Sequence, residues 1–425
     1  MNLTSASSIL ILAISALSIL LMLMRPRNIP EVYWVGSGAL LLVFFRLIPL
    51  PLAGRAIVEG SDVYFFLIGM MLLSALARDN GIFDWVASVA TQAAKASALR
   101  LFTLIYAVGT IVTVCMSNDA TAVVLTPAVL AAVRRSKAEP LPFLFACAFI
   151  ANAASFVLPI SNPANLVVFH SGLPSLGRWL LAFFLPSLLS IAVTFLVLRW
   201  YFRKDLSNSI EISKEKAELK PEGKLVLAGL ALVVVVLLVM SSLKKDLGLP
   251  TCIAALVVTA VVCVRNKTNP LPFAKEISWG TLGLVAALFV LVDAVESLHI
   301  LRLMQAALQN AQALGENTGS LVVAFVVSIA NNLVNNLPLG LMMGNTLTAM
   351  HTKGLLANAV LIGVDLGPNL SVTGSLATIL WLLALRREGL DVSALDFLKA
   401  GAIAMPSALV AAMAGAFALH AFGIR

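Results

Sequence analysis

From Leu225 to Met240 the chain carries no polar side chain at all. A run of roughly 18 or more predominantly apolar residues is long enough to cross a bilayer. In lipid a spanning backbone must satisfy its own N–H and C=O groups, which restricts such a run to a helix or a closed barrel. Comparable runs recur from one end of the sequence to the other, and their length, well beyond a barrel strand, selects helices. Composition agrees. Of 425 residues 60% are hydrophobic and 12% are charged, whereas a soluble domain carries about 25% charged residues. A soluble enzyme is excluded, and no large extramembrane domain has room to exist. The expected fold class is an all-α polytopic membrane protein.

Full spans are expected at 8–24, 31–50, 62–77, 141–170 and 179–200, and again at 224–242, 248–265, 279–296, 357–385 and 396–423. Two further apolar stretches, 101–134 and 319–350, are each interrupted by a polar cluster. Each half measures about 15 residues, short for a ~30 Å core. Both stretches are therefore expected to be re-entrant hairpins. Amphipathic segments at 82–97 and 298–313 precede them and are expected at the interface. The one hydrophilic connector, 203–223, divides the chain into an N-terminal repeat (1–202) and a C-terminal repeat (224–425). Read this way it is a solvated cytoplasmic linker.

Five spans per half start the second half on the opposite side from the first, which is an inverted repeat, a common transporter architecture. Charge tests the orientation. Residues 1–24 hold no Lys or Arg, while Arg25 and Arg27 follow the first apolar run. This is a retained first span rather than a cleavable signal. With the N-terminus outside, 21 of the 29 Lys and Arg fall on the inner side and 8 on the outer side, as the positive-inside rule requires. Both termini are then periplasmic. The net charge of +8 follows from that bias, and nucleic acid is not an expected partner. Cys115, Cys147, Cys252 and Cys263 lie in apolar runs without metal-ligand spacing. No Walker A sequence is present, and no cofactor is expected.

Four polar clusters sit at membrane depth: Ser117–Thr121, Asn152–Asn165, Asn331–Asn336 and Asp365–Thr378. They correspond in pairs, an Asn-rich hairpin tip followed about 30 residues later by a span that Pro and Gly break. Broken helices free backbone groups that must be buried in protein or line a cavity. Half-helix ends pointing at such a cavity add dipoles and open carbonyls. The candidate substrate-binding residues are Asn118, Asn152, Ser161, Asn162, Asn335, Asn336, Asn369, Thr373 and Ser375. An intramembrane carboxylate is costly and marks function by default, which singles out Asp119 and Asp365.

The runs SNDATAVVLTP (117–127), NNLVNNLP (331–338) and DLGPNLSVTGSLATILW (365–381) resemble ArsB-type arsenite/antimonite efflux permeases of the ion transporter superfamily, and the resemblance extends over essentially the whole chain. It implies a bacterial inner-membrane protein that exports trivalent arsenic and antimony against proton influx. In some bacteria such a permease partners with a soluble ATPase. Arsenous acid, a neutral molecule with three hydroxyls, suits Asn, Ser and Thr, which both donate and accept. Thiolates would bind arsenic too firmly for rapid release. A neutral solute needs no counter-charge, so Asp119 and Asp365 are expected to carry the coupling proton.

The competing readings are a sodium/proton antiporter or a sodium-coupled carboxylate carrier of the same fold. Asp119 at the tip argues against an anionic substrate. A membrane enzyme is disfavoured because no His-Glu-x-x-His or Gly-x-Ser-x-Gly occurs. The paired broken spans favour alternating access over a fixed pore.

Overall fold

The computed structural model describes residues 6–211, 218–243, 245–298 and 300–423. Part of the expected linker (212–217), together with Lys244 and Arg425 of the charge assignment, lies outside the described residues. Among the described residues there are helices and turns but no β-strand.

The first half runs α1 (Ala6–Met24), α2 (Glu31–Phe44), α3 (Leu50–Glu59), α4 (Ser61–Asp79), α5 (Ile82–Ala93), α6 (Ala98–Cys115), α7 (Thr126–Arg135), α8 (Leu141–Ala153), α9 (Pro163–Val168) and α10 (Leu176–Tyr201). The second half repeats the series as α11 (Pro221–Ser242), α12 (Gly248–Asn266), α13 (Leu271–Glu276), α14 (Trp279–Glu296), α15 (Ile300–Gln312), α16 (Glu316–Val334), α17 (Asn336–Ala349), α18 (Leu355–Leu366), α19 (Leu376–Arg387) and α20 (Ala394–Ala421). Each helix has its counterpart ten places later. Packing obeys the same exchange: α2 lies on α14 as α12 lies on α4, α3 on α14 as α13 on α4, and α10 pairs with α20. The local signals are ordinary. Proline occupies the first turn of α3, α7, α8, α9, α11 and α13, where no N–H is missed. Ser97, Ser278 and Ser393 cap α6, α14 and α20.

Nine described helices are long and apolar enough to cross a bilayer. Two details depart from the sequence reading. The expected span 31–50 ends at Phe44, and a separate short helix, α3, follows. The first hairpin arms, α6 and α16, have 18 and 19 residues rather than about 15. The first polar cluster therefore sits beyond the end of α6, whereas Asn331 and Asn332 of the second lie in the last turn of α16.

The hairpins are nevertheless re-entrant. Ile210 N–H donates to the Ala96 carbonyl and Glu211 N–H to the Ser136 carbonyl, each at 3.0 Å. Two consecutive linker residues thus hold both ends of the 98–135 hairpin, so those ends share one face. Gln312, Glu316 and Lys353, from both ends of the second hairpin, line one small cavity. Helix α20 relates the two mouths. Its 28 residues span about 42 Å at 1.5 Å per residue. Near its start Glu388 meets Arg134 of the first hairpin at 3.3 Å, and near its end His420 meets Glu316 of the second at 3.2 Å. The mouths therefore open on opposite faces, as an inverted repeat demands. The ion pairs Arg78–Glu276, Arg134–Glu388 and Lys137–Glu211 each join segments assigned to the same face.

Candidate functional site

The first tip forms where α6 ends at Cys115. Ser117 Oγ accepts from Ala120 N–H at 3.1 Å, and Asn118 Oδ1 from Asp119 N–H at 2.9 Å. A π-helical turn, Ala120–Leu125, follows, a conformation that recurs at functional sites. Thr121 meets Thr113 hydroxyl to hydroxyl at 2.8 Å and zips the returning chain onto α6. The second tip turns at Asn335, which sits at φ 80°. Its Oδ1 caps α17 through Leu337 N–H at 3.4 Å, and its Nδ2 donates to the Thr373 carbonyl at 3.3 Å.

The breaks free carbonyls, and asparagine side chains collect them. Asn165 Nδ2 lies 2.9, 3.2 and 3.3 Å from the carbonyls of Ser155, Leu158 and Pro159. Ser161 donates to the Val114 carbonyl at 3.1 Å. In the second half Asn331 Nδ2 reaches Gly363 and Val364 carbonyls at 3.0 and 2.7 Å, and Asn332 Nδ2 reaches Gly367 at 3.1 Å. Thr373 Oγ1 donates to the Asn332 carbonyl at 3.0 Å. Asn162 and Ser375, repeat equivalents, cap α9 and α19.

The two breaks also grip each other. Asn152 Nδ2 donates to Asn369 Oδ1 at 2.9 Å, and Asn369 Nδ2 to the Phe149 carbonyl at 3.1 Å. Reciprocally, Asn162 Nδ2 donates to Asp365 Oδ1 at 2.8 Å. Asp365 is 1% exposed. Its Oδ2 accepts no hydrogen bond among the described residues. Its polar neighbour Ser155 spends its hydroxyl on the Asn152 carbonyl at 2.8 Å.

Both tips and both breaks converge on one pocket of about 20 Å³, where Asn118, Asp119, Asn162, Asn336, Ser375 and Thr281 come together with apolar neighbours including Leu67 and Leu376. That is room for about one water. The pocket is the floor of a vestibule of about 400 Å³ that shares Leu67, Asp119, Pro163, Thr281 and Leu376 with it. The vestibule reaches out to Arg25, Glu31, Arg78 and Glu276, where Arg25 pairs with Glu31 at 3.0 Å and Arg78 with Glu276 at 2.9 Å. This is the face that holds the first hairpin's mouth. A cavity on the opposite face is lined by Gln305, Gln309, Gln312 and 349–353 and contains no tip residue.

The structure thus divides the expected site. Asn118, Asp119, Asn162, Asn336 and Ser375 share the pocket. Asn152, Ser161, Asn335, Asn369 and Thr373 line neither it nor the vestibule and instead hold the breaks together. Asp365 lies one hydrogen bond behind the pocket wall. Thr281 and Leu67 were not anticipated. They come from α14 and α4, outside the polar clusters, and nothing in their local sequence distinguishes them. Among the described residues no group of three or more His, Cys, Asp or Glu could hold a metal ion.

Known proteins share this architecture. A family model described as a citrate transporter, CitMHS, matches residues 6–386. The arsenical pump membrane protein of Yersinia enterocolitica is 26% identical over 92% of this chain and 94% of its own length. One from Escherichia coli is 25% identical over 90% and 92%. Among solved structures, the YdaH transporter of Alcanivorax borkumensis superposes with a TM-score of 0.59 over 87% of this chain and 88% of its own, at 14% identity.

Proposed function

Because the chain belongs to the CitMHS citrate transporter family, and is therefore a membrane transporter and not an enzyme, we propose that it exports arsenite or antimonite in exchange for protons. In this reading the neutral trihydroxy acid enters from the cytoplasm through the vestibule and is held by Asn118, Asn162, Asn336 and Ser375. Asp119 and Asp365 take up the coupling proton. The halves 1–202 and 224–425, joined by the cytoplasmic linker 203–223, alternate access across the bacterial inner membrane, with both termini periplasmic. A soluble ATPase is a candidate partner at the cytoplasmic face.

One observation carries the choice of substrate. The pocket brings together amides, hydroxyls and, among the described residues, a single carboxylate and no Lys or Arg. The guanidinium groups that line the vestibule, Arg25 and Arg78, are paired with Glu31 and Glu276. A polycarboxylate would enter beside Asp119 without a cation to meet it, and like charges in a low dielectric repel strongly. A neutral polyol-like acid meets donors and acceptors on several sides. The name of the matching family supports a second reading, a carboxylate carrier.

Everted vesicles from cells lacking arsenite export separate the two. The expected result is sodium-independent arsenite uptake driven by an imposed pH gradient, lost in Asp119→Asn and in Asp365→Asn. Uptake of citrate or succinate, or a requirement for sodium, refutes the arsenite reading. Driven uptake retained in both variants refutes the proton assignment.

A further inference from the structure

Asn162 occupies two roles with one amide. Its Oδ1 caps α9 through Ala164 N–H at 3.0 Å. This fixes which end of the amide faces away from the helix, so Nδ2 must point at Asp365, to which it donates at 2.8 Å. An asparagine Nδ2 carries two hydrogens. One is committed to Asp365, and the residue also lines the pocket beside Asp119 and Asn336. The second hydrogen is available to a solute there.

The consequence for Asp365 is specific. Oδ1 faces a donor and stays an acceptor, so a proton on this carboxyl sits on Oδ2, the oxygen without a hydrogen-bond partner among the described residues. Around Asp365, α9, α17 and the 367–375 turn carry no ionisable side chain. Helix α8 contributes Cys147, α16 contributes Glu316 at its far end, and α20 contributes Asp396, Lys399 and His420 near its ends. Among the described residues Asp119 is the one carboxylate that lines the same pocket as Asn162. The other side-chain bond between the two breaks, Asn152 to Asn369, joins two amides and is indifferent to protons.

We infer that Asn162 is a positioning residue that makes substrate and proton binding exclude each other, an inference that rests on the reading of Asp365 as a proton carrier. An ionised Asp365 holds the Asn162 amide by a charge-assisted bond, about twice as strong as a neutral one, and keeps the pocket wall formed. A proton arriving on Oδ2 neutralises the carboxylate, weakens that bond and loosens the wall, so substrate leaves. Loss of the proton on the other face restores the wall. Nothing but one proton is bound and released.

The test uses purified full-length protein and antimonite, with affinity read from the concentration dependence of its thermal stabilisation between pH 5.5 and 8. Wild type is expected to bind about tenfold more weakly at the acid end, the factor that corresponds to losing one charge-assisted increment. Asn162→Ser keeps a good cap but cannot reach Asp365, and its pH dependence should fall below about twofold. Asn162→Asp is isosteric, caps equally well and faces Asp365 with an acceptor. It should move the midpoint by about one pH unit or more, because facing carboxylates share a proton. If Asp365→Asn is flat while both Asn162 variants keep the wild-type pH dependence, Asn162 has no such role. If Asp365→Asn keeps the wild-type dependence, the proton assignment itself is wrong. No stabilisation by antimonite at any pH overturns the substrate reading and this inference with it.

Discussion

Asn331→Leu tests whether the buried asparagines hold up the broken helices. Asn331 is fully buried, and its two N–H groups reach separate carbonyls, Gly363 at 3.0 Å and Val364 at 2.7 Å. Both carbonyls belong to the last turn of α18, immediately before Asp365. Leucine matches the shape and removes both donors. Only the Val364 carbonyl is orphaned, at about 1–3 kcal/mol, because Gly363 still accepts from the Ser328 hydroxyl at 3.2 Å and from Gly367 N–H. With about 0.5–1.5 kcal/mol for the bond lost at Gly363, the gross loss is about 1.5–4.5 kcal/mol. One term opposes it. Asn331 Oδ1 has no partner among the described residues, and deleting an unsatisfied acceptor returns about 1–3 kcal/mol. The net expectation is a destabilisation of about 0.5–1.5 kcal/mol, against a typical total of about 5–15. Equilibrium unfolding in mixed detergent micelles measures it. Transport should fall further than stability alone requires, because α18 delivers Asp365 to Asn162. An Asn331→Leu protein as stable as wild type would refute the argument that freed carbonyls recruit these side chains.

Gly344→Ala should disrupt the second hairpin, since a Cβ there would lie 2.5 Å from the Val168 carbonyl oxygen and 3.1 Å from that of Val167. Both are backbone atoms of α9 that cannot swing away, so a stability loss of about 1–3 kcal/mol and a matching loss of vesicle uptake are expected. A cysteine at Thr281, in a background lacking the four native cysteines, should react with impermeant thiol reagents only from the face of the first hairpin's mouth, and antimonite should slow the reaction. Equal labelling from both faces would contradict the one-sided vestibule. Lys137→Ala should change stability by less than about 1 kcal/mol, because both members of the Lys137–Glu211 pair are solvent-exposed. The hairpin ends remain held by the backbone bonds of Ile210 and Glu211, and unfolding of the variant alongside wild type checks this.

The repeat was legible because span length, charge bias and paired polar clusters are all written locally. Even the re-entrant hairpins followed from an interrupted apolar run. The arm lengths did not, since a helix continues until its backbone hydrogen bonds fail: α6 already begins at Ala98 behind the Ser97 cap, and α16 begins at Glu316 and runs on through Asn331 and Asn332. The site was legible only as a set. At membrane depth a polar side chain answers one of two demands, a freed backbone group or a solute, and residue type does not tell them apart. Asn165 and Asn331 spend their donors on carbonyls, whereas Asn118 and Asn336 line the pocket. Asn335 and Asn336 are neighbours, yet the first braces the Thr373 turn and only the second lines the pocket. Thr281 shows the opposite failure. It reaches the pocket because α14 packs against the tips, a tertiary fact with no local signature.

The exchange symmetry of the fold sharpens what the carboxylates mean. Asp119 stands where the second tip has Asn336, and Asp365 where α8 has Asn152. In each case the other repeat carries an amide: Asn336 lines the same pocket as Asp119, and Asn152, which donates to Asn369, also bonds across the two breaks. A carboxylate is therefore not required to build either position, because an uncharged residue holds the equivalent place in the other repeat. What it adds over the amide is the ability to gain and lose a proton, at the expense of burying an ionisable group. The double substitution Asp119→Asn with Asp365→Asn should consequently fold and retain exchange of antimonite down its own gradient, while uptake against a gradient disappears. A double variant that fails to fold would assign the two acids to structure, against the evidence of their uncharged counterparts.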